Sequence, residues 1–216
     1  MKWEECSVRI DRDKLRLVAI TDRRIVKGEL LRAVEEVLEG GATAIMLREK
    51  DLSPRELFEL AVPIRQATAR HGAALFINRS VEVALAVGAD AVHLGFDALD
   101  VTTVMSIAGS QLAIGLSAHS LDEVATAAEE GVAYVTWSPV FVPVSKQATN
   151  EPTGVDGLRG VCDSTSLPVV ALGGITPANA RACVDAGAVG VAAIGSLFGS
   201  PDPRATARAF REAMTS

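Results

Sequence analysis

Residues 169–195 read VVALGGITPANARACVDAGAVGVAAIG, and they contain one full strand–helix–strand cycle. Val169–Gly173 is a continuous apolar run, the pattern of a parallel strand covered on both faces. Thr176 and Pro177 suit an N-cap and the first helical position. Gly187 suits the residue that closes a helix. Gly190–Ile194 then opens the next apolar run.

The same cycle recurs along the whole chain, about every 25 residues. The other strand candidates are Leu15–Thr21, Ala44–Arg48, Ala74–Asn78, Ala91–Gly95, Leu112–Ser117 and Tyr134–Val140. Between them lie helical patterns. Glu29–Glu39 carries apolar residues at helical spacing. Pro54–His71 follows Ser53 as N-cap, Ser120–Glu130 opens with a Ser120/Glu123 capping box, and a last helix is predicted over Pro203–Met214. Eight βα units without a break in composition predict an α/β fold, a single (β/α)8 TIM barrel spanning residues 1–216, with 1–13 as an N-terminal extension. An open doubly wound sheet is the alternative.

Bulk properties narrow the partners. Net charge is −6 and no run of like charge forms a tail, so nothing favours nucleic acid or an anionic membrane. Three cysteines, Cys6, Cys162 and Cys183, have neither zinc spacing nor an even count, which suits a reducing cytoplasm. The polar start is unlike a secretory signal, and no apolar run is long enough to span a bilayer.

In a barrel of this kind the chemistry sits at the C-terminal ends of the strands. Gly173-Gly174 and Gly195-Ser196 end the last two strands, where backbone N–H groups beside helix N-termini suit a phosphate. Glycines that merely make tight turns are the alternative. Arg48, Glu49 and Lys50 end the second strand, and two cations there suit an anionic substrate. Lys146 lies in the long Phe141–Gly154 connection, where it is placed to close over a phosphate. His119 ends the fifth strand after Ser117 and is the acid/base candidate, with a structural hydrogen-bonding role as the other reading. His93, between Val92 and Leu94, reads as an interior residue.

These residues resemble the thiamin-phosphate synthase/TenI family. The motifs that carry the resemblance are Ile20-Thr21-Asp22, Leu47-Arg48-Glu49-Lys50, Asn78 and Ala91-Val92-His93-Leu94-Gly95. They continue with Gly115-Leu116-Ser117-Ala118-His119-Ser120, Ser138-Pro139-Val140-Phe141, Ser145-Lys146 and Ala171-Leu172-Gly173-Gly174-Ile175-Thr176-Pro177. The resemblance implies one of two activities. A synthase joins an aminopyrimidine methyl diphosphate to a thiazole phosphate, releases diphosphate and uses Mg²⁺. A TenI-like tautomerase moves a double bond in a carboxythiazole phosphate with an acid/base group and no metal.

Departures from the synthase pattern decide the expectation. Met46 stands where synthases carry glutamine. Asn78-Arg79-Ser80 stands where they read Asn-Asp-Asp, whose first aspartate binds Mg²⁺. Phe96 replaces another glutamine, and Asp97 and Asp100 straddle the place of the next aspartate. Pro143-Val144-Ser145-Lys146 stands for Pro-Thr-x-Thr-Lys. The expectation is therefore a tautomerase with His119 as acid/base residue and no metal. Gly173, Gly174, Gly195 and Ser196 would hold the thiazole phosphate. Arg48, Lys50, Asn78, Arg79, Ser117, Ser145 and Lys146 would line the pyrimidine and diphosphate side. The alternatives are a synthase with Mg²⁺ on Asp97 or Asp100, and a binding protein without turnover. The resemblance also implies a small-molecule thiazole phosphate as partner and a homo-oligomer, such as a dimer.

Overall fold

The computed structural model describes residues 8–95, 97–142 and 151–215. Eight parallel strands close into a barrel in sequence order: β1 (Leu17–Ile20), β2 (Ala44–Leu47), β3 (Ala74–Asn78), β4 (Ala91–Leu94), β5 (Ala113–Ala118), β6 (Tyr134–Trp137), β7 (Val169–Ala171) and β8 (Gly190–Ala193). The helices are α1 (Leu30–Glu39), α2 (Pro54–Arg70), α3 (Val81–Val87), α4 (Val101–Ala108), α5 (Leu121–Glu129), α6 (Gly154–Ser164), α7 (Pro177–Asp185), α8 (Gly195–Phe198) and α9 (Pro203–Thr215). The doubly wound alternative is excluded by the β1–β8 pairing, Leu17 opposite Val191 and Ala19 opposite Ala193.

Alternation along each strand separates two cores. Residues such as Leu17, Ile45, Leu75, Val92, Val135 and Val191 face outward and are covered by the helices. Val18, Ile20, Met46, Phe76, Tyr134 and Val170 face inward and fill the barrel. Both faces are apolar, so the strands read as unbroken hydrophobic runs in sequence.

Tyr134 is the largest inward side chain and is fully buried. Its ring lies 5.5 Å from that of Phe76 and 5.6 Å from that of His93. Gly115 on the adjacent strand makes the room: a Cβ there would stand 2.2 Å from Tyr134 Cζ. A glycine in a strand otherwise weakens it, so its place opposite a large ring is what explains it.

The base of the barrel is closed by the chain that precedes β1. The sequence pattern predicted strand from Leu15, but Arg12–Leu15 forms a 3-10 turn, because the Asp11 carboxylate accepts from the Asp13 N–H and bends the chain. Leu15 is buried beneath the barrel, with Val8 and Ile10 packed on the same cluster. Gly190 lets this plug approach: a Cβ there would be 2.1 Å from the Leu15 carbonyl oxygen. The short α8 had no periodic signal, being a single turn. The remaining boundaries agree with the sequence reading to within a few residues. Among the described residues, no helix is long and apolar enough to cross a membrane.

Gly115→Ala is expected to destabilise the fold by about 1–3 kcal/mol through overpacking against Tyr134. A lower urea midpoint with an unchanged slope is the expected result. An unchanged midpoint would show that the ring moves aside freely.

Candidate functional site

The strand ends form a mouth in which the candidate residues fall into separate groups. On the first side, Lys50 after β2, Asn78 at the end of β3, Arg79 just beyond it, and Asp97 after β4 line one cavity of about 430 Å³, with Glu49, Ser80 and Glu82. Asn78 donates from Nδ2 to the His93 carbonyl at 3.3 Å. Arg79 donates its backbone N–H to the same carbonyl at 2.9 Å and has φ 69°. A left-handed arginine costs on the order of 1–3 kcal/mol and persists only where its surroundings fix it. Its guanidinium pairs with Asp97 at 2.9 Å.

Carboxylates at the mouth are largely engaged by cations. Glu49, read from sequence as lining the site, is buried and accepts both the backbone N–H and the guanidinium of Arg23. Arg23 also grips Asp51 through two bonds of 2.6 and 2.8 Å. Asp22 accepts from Arg24 at 2.8 and 2.9 Å, and this contact, with help from the Arg48 charge, holds its carboxyl below the usual range. Sequence reasoning passed over Arg23 and Arg24, since nothing in their spacing reveals which acid each will meet. Asp100, a candidate metal ligand, instead caps α4: one oxygen accepts from the Thr103 N–H and the other from its hydroxyl, each at 2.8 Å. Its placement before a helix with Thr103 at the third position is the signal that could have identified it.

The floor of the mouth is a hydrogen-bonded chain. The His93 ring lies between the Tyr134 hydroxyl, 3.1 Å from Nδ1, and the Ser117 hydroxyl, 3.0 Å from Nε2. Burial, reinforced by the positive Arg48, pushes the His93 pKa down to about 3. The interior reading of His93 therefore holds, and Ser117 is anchored by it. Thr136 is also buried here, opposite Ser117 on β6, and its hydroxyl has no partner among the described residues. Arg48 donates its backbone N–H to Thr21 Oγ1 at 2.9 Å, and neither it nor Lys50 forms an ion pair among the described residues. Met46 is buried in the interior cluster, so it closes the floor with an apolar surface.

His119, just beyond β5, is exposed. Its backbone N–H donates to Glu123 at 2.6 Å, and its Nδ1 lies 2.7 Å from the Ser138 carbonyl. A carbonyl only accepts, so Nδ1 carries the proton and a neutral ring keeps Nε2 as its proton acceptor. The contact orients the ring at the strand end and is compatible with either reading of His119.

On the far side, Gly173 and Gly174 have φ of 95° and 65°. A Cβ on Gly173 would be 2.6 Å from Pro139 Cα, and one on Gly174 would be 2.6 Å from the Val142 oxygen. Both glycines are thus required by the close passage of the chain after β6, which bonds back through Phe141 N–H to the Gly173 carbonyl at 3.0 Å. Gly195 and Ser196 are the first two residues of α8, whose N–H groups have no acceptor within the helix. The Ser196 hydroxyl donates to the Ile175 carbonyl at 2.7 Å and ties the two loops together. Asn179, which sequence reasoning missed, holds the β7 loop by accepting from the Thr176 N–H and donating to the Gly174 carbonyl. Ser145 and Lys146 lie outside the described residues. So does Cys6, while Cys162 and Cys183 are free thiols whose pKa burial pushes up to about 11.

The barrel and its strand-end mouth place the chain among the (β/α)8-barrel enzymes. The family model described as "Thiamine monophosphate synthase" matches residues 17–197, and the chain belongs to the thiamin-phosphate synthase/TenI family. It is 44% identical over 194 residues to a "Putative thiamine-phosphate synthase" of Geobacter sulfurreducens, covering 89% of this chain and 91% of that one. It is 40% identical over 197 residues to the thiamine-phosphate synthase of Chloroflexus aurantiacus, covering 91% of each. The solved thiamine phosphate pyrophosphorylase from Pyrococcus furiosus superposes with a TM-score of 0.87 at 38% identity, covering 94% of this chain and 97% of that one. These relatives favour the synthase alternative over the tautomerase expected from the sequence.

Because the folded pKa of His93 is depressed, its contribution to stability is intact above the unfolded value near 6.5 and is lost as pH falls toward 3. Unfolding free energies from urea titrations should fall with acidification by on the order of 1 kcal/mol per pH unit in that window. A His93→Gln variant should show a shallower fall, and identical profiles would remove His93 as the cause.

Proposed function

We propose that this enzyme makes thiamin phosphate by joining an aminopyrimidine methyl diphosphate to a thiazole phosphate. The observation that carries the reading is the relatives of about 40% identity named thiamine-phosphate synthase, matched over about nine-tenths of both chains. In this reaction the bond from the pyrimidine methylene to the diphosphate oxygen breaks, and its electron pair leaves with diphosphate. The thiazole nitrogen lone pair then forms the new C–N bond. No proton has to be abstracted to form it.

The chain's residues suit such a step. Arg48 and Lys50, without ion pairs among the described residues, supply positive charge for the leaving diphosphate. Ser117, fixed by His93, and the apolar Met46 and Tyr134 floor offer a place for a flat ring. The Gly173-Gly174 turn and the α8 N-terminus suit the thiazole phosphate, which would accept from their N–H groups. His119 is a contact or positioning residue here, since the coupling asks for no base.

Mg²⁺, which the resemblance implies for a synthase, does not fit the carboxylates described. Asp22 is held by Arg24, Asp97 by Arg79, and both oxygens of Asp100 are used in capping α4. No group of three or more His, Cys, Asp or Glu among the described residues is arranged to hold a metal.

Incubation with both substrates should yield thiamin phosphate and diphosphate. Conversion of a carboxythiazole phosphate alone, without coupling, would establish the tautomerase instead. Arg48→Ala is expected to lower the coupling rate by about 100-fold, while His119→Ala should retain most of it. A His119→Ala variant as inactive as Arg48→Ala would restore His119 to the chemistry. Gly174→Ala, which combines a left-handed backbone with a 2.6 Å clash, should raise KM for the thiazole phosphate about tenfold.

A further inference from the structure

We propose that Arg79 occupies the place of a divalent cation and binds the diphosphate end of the substrate directly, so that diphosphate binding by this chain needs no metal. The identity of the ligand rests on the synthase reading above.

Among the described residues, Arg79 is the only one other than glycine with positive φ. The turn is locked by two bonds, Arg79 N–H to the His93 carbonyl and Ser80 N–H to the Asn78 carbonyl, each 2.9 Å. A long cationic side chain in a conformation that favours glycine, asparagine and aspartate is a local conflict, and such conflicts collect at functional sites. Here it directs a guanidinium into the cavity that Lys50 and Asn78 also line.

A metal entering beside Asp97 would meet a permanently positive guanidinium 2.9 Å from that carboxylate. A diphosphate would meet Arg79 and Lys50 on a cavity wall that also carries Glu49, Glu82 and Asp97, with Glu49 already taken by Arg23. The Arg79–Asp97 pair is open to solvent, the two side chains being 37% and 50% exposed, so it is weakly held. Phosphate oxygens accept from a guanidinium fork as a carboxylate does, and with more charge. Diphosphate therefore competes with Asp97 for Arg79, and Asp97 opposes its binding. Were Asp97 a metal ligand, it would assist binding, so the two arrangements predict opposite signs for its removal.

The test is calorimetric titration of the full chain with inorganic diphosphate, once in EDTA and once in excess Mg²⁺. The expected result is binding in EDTA, weakened about tenfold or more by Arg79→Ala and strengthened several-fold by Asp97→Asn. Arg79→Asp, which sets two carboxylates side by side, should bind diphosphate only with Mg²⁺. Diphosphate binding that requires Mg²⁺ in the unaltered chain, or is weakened by Asp97→Asn, overturns the proposal. The coupling assay is read separately. Metal-free diphosphate binding without thiamin phosphate formation would sink the synthase reading and leave the Arg79 site standing. Coupling that depends strictly on Mg²⁺ and on Asp97 would do the reverse.

Discussion

Eight parallel strands closed on themselves enclose a space that side chains must fill, and in this chain Tyr134 fills the largest part of it. The ring fits because Gly115 has no Cβ, and it packs against Phe76 and His93. Its hydroxyl needs a partner once buried, and His93 supplies one. His93 in turn holds Ser117 at the mouth. A packing requirement deep in the barrel thus fixes the orientation of a polar group where substrates would bind. The same burial disfavours the charged ring, so His93 stays neutral at ordinary pH and both of its nitrogens serve these two hydroxyls.

Above that floor, electrostatics divides the mouth. Arg23 ties Glu49 and Asp51, Arg24 ties Asp22, and Arg79 ties Asp97. The acids that would attract a cation are thereby matched with guanidinium groups, while Arg48 and Lys50 remain unpaired among the described residues. The cations left over on the β2–β4 side are thus Arg48 and Lys50, while Glu82 is bonded by the Ser80 hydroxyl and not by a cation. The opposite side contributes by geometry instead of charge: two left-handed glycines under the chain after β6, and the bare N-terminus of α8.

Much of this was legible in advance because its causes are local. Strands buried on both faces must be apolar throughout, and helix starts must supply side-chain acceptors. Val169–Ala171, Ser53 and Ser120 therefore announce themselves. Leu15 was misread because an apolar residue next to a strand looks like strand whether it extends the sheet or folds beneath it. Asp100 was weighed as a metal ligand because a carboxylate's residue type does not disclose whether its oxygens are already used. Arg23, Arg24 and Asn179 went unnoticed because their partners lie on other strands or across a turn.

The sequence by itself determined the repeated βα unit, the positions of the strand ends and the family, while the β1–β8 pairing closed the barrel. The first three depend on periodicity, capping and motif order, which are properties of neighbouring residues. Only the tertiary structure decided which charges meet. The pairing of Arg79 with Asp97 joins the ends of two neighbouring strands, and it turns on the left-handed backbone at Arg79 and the cavity both residues line. That contact arises from folding at a distance, and it marks where this mouth departs from a metal site.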